Sequence, residues 1–287
     1  VVVLIRVKAC VIKVFMASVT SKDNPLGKSS EYRDQYDASL LFPIEREESW
    51  KAHGLDRNEV VFYGEDIWNG YEISWLNQKG KPLVALAEFR IPASSRYLVE
   101  SKSFKLYLNS FNQTRFENGS DVRQLMEKDL SAAVGAQVKV VFYPVYHVFP
   151  DAPEALCIDN LDIEVSSYEL DDSLLQCGEG QFDGWICSHL LKSNCPVTGQ
   201  PDWGSLFIHY RGPRIDEAGL LAYIVSMRQH QDFHEHCVER TFHDLWLRCQ
   251  PQSLTVYARY VRRGGLDISP WRSTEPGMPE NLRLARQ

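Results

Sequence analysis

The sequence predicts an α+β fold in which one supersecondary order occurs twice. Residues 60–148 read as strand, strand, helix, helix, strand, and residues 185–261 read in much the same order after a proline-bearing, acidic connection. Each half is therefore expected to pack two helices on one face of a small antiparallel sheet, and duplication is the economical account. One such unit could not close its own sheet edge, so the two halves are expected to pair.

The chain divides on this reading into an extension (1–24), an N-terminal module (25–150), a connection (151–183) and a C-terminal module (184–287). Residues 1–15 are apolar, but Arg6, Lys8 and Lys13 interrupt them, no small-residue cleavage site follows and the run is too short to span a bilayer. With Met16 next, residues 1–24 are expected to be disordered or to lie upstream of the true start. Residues 25–41 form an irregular arm with Tyr32 and Tyr36.

Strand signals begin at 60–63 and resume at 71–76, where Tyr, Ile and Trp alternate with polar residues. The turn 77–81 leads into a second strand, 82–91, which makes a hairpin closed by Pro92. Residues 94–112 read as a helix, capped by Ser94 or Ser95, with Leu98, Phe104, Leu108 and Phe111 near a helical period. A polar linker precedes a second helix, 121–134, which Gly135 ends in the position of a left-handed cap. Residues 137–148 return as a strand.

In the second half, apolar runs at 185–191 and 206–210 flank a turn-rich loop, helices are expected at 216–228 and 238–247, and 254–261 closes as a strand. Pro92 and Pro213 are read as opening corresponding helices, with Phe116-Glu117 and Phe233-His234-Glu235 in the interhelical linkers.

Composition limits function. The net charge of -7 over 287 residues argues against a sequence-independent nucleic-acid binder, whose affinity comes from Lys and Arg, and fits a small-molecule partner. Seven cysteines without CxxC pairs indicate neither a disulfide scaffold nor a zinc ribbon, so the cytoplasm is the default.

The chemistry concentrates in Ser193-Asn194-Cys195-Pro196-Val197-Thr198-Gly199-Gln200-Pro201-Asp202-Trp203-Gly204. Prolines and glycines break any regular period, so Cys195 and Asp202 are expected on an irregular segment. A cysteine attacks an electrophilic carbon only as thiolate, and a nearby carboxylate can take the thiol proton or return it to product. At this spacing alone the more ordinary reading is structural, a buried cysteine beside a capping aspartate. Lys102 and Lys105 are ordinarily a solvated helix face; read functionally, they and Ser101 and Ser103 supply donors for phosphates. Gly178-Glu179-Gly180 lacks the dinucleotide-fold context. His230, His234, His236, Cys237 and His243 are zinc-ligand types at close spacing, without a second grouped set.

Glu100-Ser101-Lys102-Ser103-Phe104-Lys105-Leu106-Tyr107 followed by Asn109-Ser110-Phe111-Asn112 resembles the signature of the QueF family, the NADPH-dependent 7-cyano-7-deazaguanine reductases. The Cys195-Pro196 to Pro201-Asp202-Trp203-Gly204 loop and Phe233-His234-Glu235 resemble that family's catalytic segments. The resemblance runs from about residue 26 to the end, in the long two-module form. It implies tandem tunnelling-fold (T-fold) modules assembling into a barrel, and reduction of a nitrile to an amine on a free deazaguanine base, toward the tRNA nucleoside queuosine. Cys195 would be the nucleophile forming a thioimide, Asp202 the proton donor and His234 its assistant. Glu100 and Glu235 would hold the base, while Ser101, Lys102, Ser103 and Lys105 would serve NADPH. The resemblance implies no catalytic metal; a homodimer and no direct nucleic-acid contact are also expected. The alternatives are a zinc-dependent cyclohydrolase or pterin-synthase-like enzyme of the same fold, and a non-catalytic purine-binding module.

Overall fold

The computed structural model describes residues 32–52, 54, 55 and 60–287, so the expected extension 1–24 and the start of the arm lie outside the described residues. The first half contains β1 (Pro43–Glu45), α1 (Arg46–Ala52), β2 (Tyr63–Leu76), β3 (Pro82–Pro92), β4 (Tyr97–Val99), α2 (Ser101–Asn109), α3 (Gly119–Val134) and β5 (Lys139–Tyr143). The second contains β6 (Leu156–Cys157), β7 (Cys177–Ser188), β8 (Lys192–Asn194), β9 (Pro201–Ile215), α4 (Glu217–Ser226), α5 (His234–Cys249), β10 (Ser253–Tyr260) and β11 (Leu266–Ser273).

One sheet runs β5-β3-β2-β11-β10-β9-β7-β6, with β8 added on β9, and β1 pairs separately with β4. All pairings are antiparallel except β6 with β7. The fold is thus α+β on an antiparallel sheet, open at β5 and β6 among the described residues. The expected order occurs twice: hairpin β2-β3, helices α2 and α3, then β5 beside β3; and hairpin β7-β9, helices α4 and α5, then β10 beside β9.

The seam between the halves is β11, which pairs with β10 on one side and β2 on the other. Sequence periodicity does not mark it, because Pro270 stands in its middle and proline is poorly tolerated in a central strand. Here Pro270 faces Asp66 in register.

Strand alternation sorts side chains by face. Trp68, Leu206, Ile208, Val256 and Ala258 join two apolar cores with the helices, while their neighbours Ile67, Phe207 and Tyr257 join a third cluster with Trp271 and Leu282 on the opposite face. Helices therefore cover one face, and the C-terminal segment covers part of the other.

The helix pairs share a polar device. Glu100 and Asp216 cap α2 and α4 by accepting backbone N–H groups. Tyr107 and Tyr223 each donate to a buried acid of the following helix, Asp129 and Asp244, at 2.8 Å. Ser110 and Ser226 each donate back to the carbonyl of that tyrosine. Buried acids need such donors, so the repeated spacing reflects one packing solution used twice.

Several boundaries differ from the sequence reading. The helix expected over 94–112 is confined to α2, because Tyr97, Leu98 and Val99 are buried as β4 and the capping acid is Glu100, not Ser94 or Ser95. Of run 60–63 only Tyr63 is strand; it and 71–76 belong to one strand, β2, whose middle escaped because its polar residue Asp66 is buried against Arg46 and Arg272. The strand expected over 137–148 is only β5, run 185–191 is the end of the longer β7 up to Ser188 plus three non-strand residues, and run 206–210 is a piece of the longer β9. Pro92 ends β3 and Pro213 lies within β9, so neither opens a helix. Helix α5 starts at His234, which makes Phe233 its N-cap residue rather than part of a linker. Helix α3 and the left-handed Gly135 cap (φ 71°) are as expected. No helix among the described residues is long and apolar enough to cross a membrane.

Candidate active site

The loop carrying Cys195 is the connection of a small hairpin. Strands β8 and β9 pair Ser193 with Asp202 and Asn194 with Pro201. The intervening residues close on themselves through Cys195 N–H to Gln200 C=O (2.8 Å) and Gly199 N–H to Cys195 C=O (2.9 Å). Gly199 adopts φ 66°, which favours glycine. Cys195 is thus on a loop as expected, whereas Asp202 is on a strand and 4% exposed.

Two further backbone bonds aim this hairpin at α5. Asn194 N–H donates to His230 C=O (2.8 Å), and Asp232 N–H donates to Asn194 C=O (3.2 Å). The first residue of α5 thereby meets Asp202: His234 Nε2 lies 3.2 Å from Oδ2. The imidazole stacks on Tyr260, with centroids 3.8 Å apart and planes 8° from parallel. Its Nδ1 is buried and has no hydrogen-bond partner among the described residues. Arg263 Nη1 donates to the other Asp202 oxygen at 2.6 Å and also reaches Gln200.

These groups surround a cavity of about 330 Å³. Cys195, Asp202, His234 and Glu235 line it together with Ser101, Lys102 and Lys105 of α2, and Trp68 and Ile268 add apolar surface. The turn between β10 and β11 supplies Arg263 and Gly264. Glu100 and Ser103 do not line the cavity. The Glu100 carboxylate accepts from the N–H groups of Lys102 and Ser103, both at 2.7 Å, and Ser103 Oγ donates to Glu100 C=O while accepting from Phe42 N–H. Both residues fix the first turn of α2, which presents Ser101, Lys102 and Lys105.

The electrostatics separate the acids. Burial pushes the Asp202 carboxyl up, but His234 and Arg263 outweigh it and hold it below the usual range, so Asp202 is ionised. Burial raises Glu235, and the Asp66 charge raises it further against His234 and Arg46. Behind it, one turn along α5, Glu239 takes Arg272 at 2.6 Å and Trp50 Nε1, and Arg272 and Arg46 share Asp66. Glu100 is likewise raised, by burial, against its backbone donors.

The histidine-rich stretch does not converge. His230 Nε2 and His236 Nδ1 lie 3.8 and 3.0 Å from Asp232, His234 meets Asp202, and His243 Nδ1 is 3.3 Å from Asp244, so the imidazoles are divided among three carboxylates. No three-ligand grouping among the described residues includes His230, His234, His236, Cys237 or His243. Sequence reasoning missed Arg263, Tyr260 and Trp68. Arg262-Arg263-Gly264-Gly265 directly after an expected strand was the available signal for Arg263; Tyr260 and Trp68 look like ordinary strand aromatics.

The arrangement defines a class: an α+β protein whose cavity is lined by a thiol, an ionised carboxylate and two lysines. The chain belongs to the NADPH-dependent 7-cyano-7-deazaguanine reductase (QueF) family. Residues 32–142 match the model of the nitrile reductase, 7-cyano-7-deazaguanine-reductase N-terminal family, and residues 201–277 match that of QueF-like proteins. A relative from Chromohalobacter salexigens named NADPH-dependent 7-cyano-7-deazaguanine reductase is 55% identical over 272 residues, 93% of this chain and 98% of its own. Relatives of the same name from Bordetella avium and Azoarcus sp. are 57% identical over 275 residues (92% and 98% covered) and 54% identical over 255 residues (88% and 91%).

Proposed function

We propose that this chain reduces the nitrile of 7-cyano-7-deazaguanine to the aminomethyl base with NADPH, through a thioimide on Cys195, in the route to queuosine. The observation that carries the reading is the meeting of Cys195, Asp202, His234 and Glu235 with Lys102 and Lys105 around one cavity, in a chain whose relatives bear that activity's name. No feature of the cavity favours the cyclohydrolase reading.

Asp202 takes the Cys195 proton as sulfur bonds to the nitrile carbon; the π electrons move to nitrogen, which receives the proton, giving the thioimide. The depressed pKa keeps Asp202 ionised and so free to act as an acceptor, and His234, bonded to Asp202, resupplies protons for the later steps. Bound NADPH supplies the hydride, twice per nitrile. The C–S bond breaks between the two reductions, with sulfur leaving as thiolate, and the nitrogen ends as an amine. Tyr260 fixes the plane of His234, and Arg263 fixes the Asp202 oxygens.

The ring N–H and amino group of the base form a donor edge that Glu235, on the cavity wall, accepts, while Glu100 serves the site by capping the α2 turn that presents Ser101 and Lys102. The donor set of α2 fits NADPH: Ser101, Lys102 and Lys105 line the cavity, and Gly264 leaves the space that Lys105 crosses. Ser103 assists by holding the first turn of α2. The two halves correspond to T-fold modules (25–150 and 184–287), which complete a barrel in a cytoplasmic homodimer. The repeated hairpin, helix-pair, strand order supports the module assignment.

Intact mass after incubation with 7-cyano-7-deazaguanine and no NADPH tests the mechanism. The wild type gains the mass of the base and Cys195→Ala gains none while still binding it. Normal reduction by Cys195→Ala overturns the assignment.

A further inference from the structure

We infer that Cys157, Cys187 and His189 form a binding site for one divalent cation of the zinc class, at the outer edge of the sheet and apart from the catalytic cavity. None of the three lines that cavity. Strands β6 and β7 run parallel with Cys157 and Cys187 as direct partners, which sets two thiols side by side. His189 follows the end of β7 and brings an imidazole to the same place. A ligand atom from each residue lies within 4.8 Å of the others. Tetrahedral zinc, with Zn–S at about 2.3 Å and Zn–N at about 2.0 Å, holds such atoms roughly 3.5 to 3.8 Å apart, so side-chain rotation of about an ångström closes the set.

The surroundings of His189 resemble those of a metal-bound imidazole more than those of a surface histidine. Its Nδ1 is 2.8 Å from Ser205 Oγ, which leaves Nε2 to ligate. Ser205 also accepts from Arg286 Nη2 at 2.7 Å, and the same guanidinium donates to His189 C=O at 3.1 Å. His189 N–H donates to the Asp159 carboxylate at 2.9 Å. Ring and backbone are thus both held. Two thiolates balance the charge of a divalent ion, and Cys157 and His189 are exposed, so water takes the fourth position. The ion also supplies what β6 lacks: a two-residue edge strand has little pairing of its own, and a metal bond from Cys157 to Cys187 pins it to β7.

Cobalt titration of the chelator-treated full chain tests the site. The expected result is saturation at one equivalent, with thiolate-to-cobalt charge transfer and the strong visible bands of a tetrahedral ion. Cys157→Ser should abolish that spectrum while leaving nitrile reduction unchanged. Ser205→Ala should weaken cobalt binding by about 10- to 100-fold. Cys195→Ala should leave the titration unaltered, because the catalytic thiol is not a ligand. The inference fails if the spectrum survives Cys157→Ser or disappears with Cys195→Ala. It fails also if the chain isolated without reductant carries Cys157 and Cys187 as a disulfide that cobalt cannot enter. The site stands or falls independently of the nitrile chemistry, since its readout needs neither base nor NADPH.

Discussion

Gly264→Ala should weaken NADPH binding without touching a residue of the reaction centre. Gly264 lies in the turn between β10 and β11 at φ 61°, and a Cβ there would overlap Lys105 Nζ and stand 2.9 Å from its Cε and 3.2 Å from its Cδ. The left-handed backbone penalises alanine by about 1 kcal/mol, a cost that falls on folding. For a domain of this size that lowers Tm by about 2 to 4 °C. The overlap with Lys105 is relieved by swinging a flexible side chain, which costs little stability but takes the ammonium off the cavity wall. Lys105 is exposed, so its contact with a phosphate belongs at the low end for a charged hydrogen bond, about 1.5 kcal/mol, or roughly tenfold in Kd. NADH, without the extra phosphate, should bind with smaller change. Calorimetric titration of the wild type, Gly264→Ala, Lys105→Ala and the double variant decides the matter. If glycine acts through lysine, the double variant binds NADPH no worse than Lys105→Ala alone. An unchanged NADPH Kd in Gly264→Ala alongside a lowered Tm would refute the reasoning, and additive losses would place the effect elsewhere.

The depressed Asp202 carboxyl contributes stability that is fully present above its unfolded pKa, about 3.9, and is lost as pH falls through the folded value. Urea unfolding of the wild type and Asp202→Asn should therefore show a stability difference that shrinks below about pH 4, and a pH-independent difference would contradict the carboxylate assignment. Tyr223→Phe strips Asp244 of a buried donor and should cost about 1.5 kcal/mol, since Arg240 and His243 remain. Tyr107→Phe should cost at least as much, because the donor left on Asp129 is the neutral Tyr36 hydroxyl at 2.8 Å, whereas Asp244 keeps the Arg240 guanidinium. A clearly smaller loss for Tyr107→Phe than for Tyr223→Phe in urea melts would sink this comparison. Glu235→Gln swaps an acceptor for a donor against the base's donor edge and should raise the Kd for 7-cyano-7-deazaguanine about tenfold, or about 1.4 kcal/mol; unchanged affinity by titration would remove Glu235 from base recognition.

The elements legible in the sequence are those whose signals are local. Helix α3 carries an apolar stripe and a glycine where a left-handed cap belongs, and the hairpin joining β2 to β3 carries its own turn residues. Cys195 and Asp202 were marked by a proline- and glycine-rich loop, and His234 and Glu235 by the resemblance of their segment. What lies between such signals was decided by tertiary contacts. The middle of β2 reads as polar because Asp66 is buried against arginines contributed by α1 and β11. Strand β11 reads as a proline-broken segment, yet it pairs the two halves of the sheet. Within the site, local patterns name the thiol, the carboxylate and the imidazole, but their contact depends on Asn194 pairing with His230 and Asp232, two bonds between distant segments. The same holds for Arg263, whose role exists only because the turn after β10 folds over Asp202, and for Cys157, Cys187 and His189, which form no short motif and meet only through the pairing of β6 with β7. Periodicity and turn chemistry are properties of a few consecutive residues, whereas ion pairing, sheet register and ligand convergence depend on which distant segments the fold brings together.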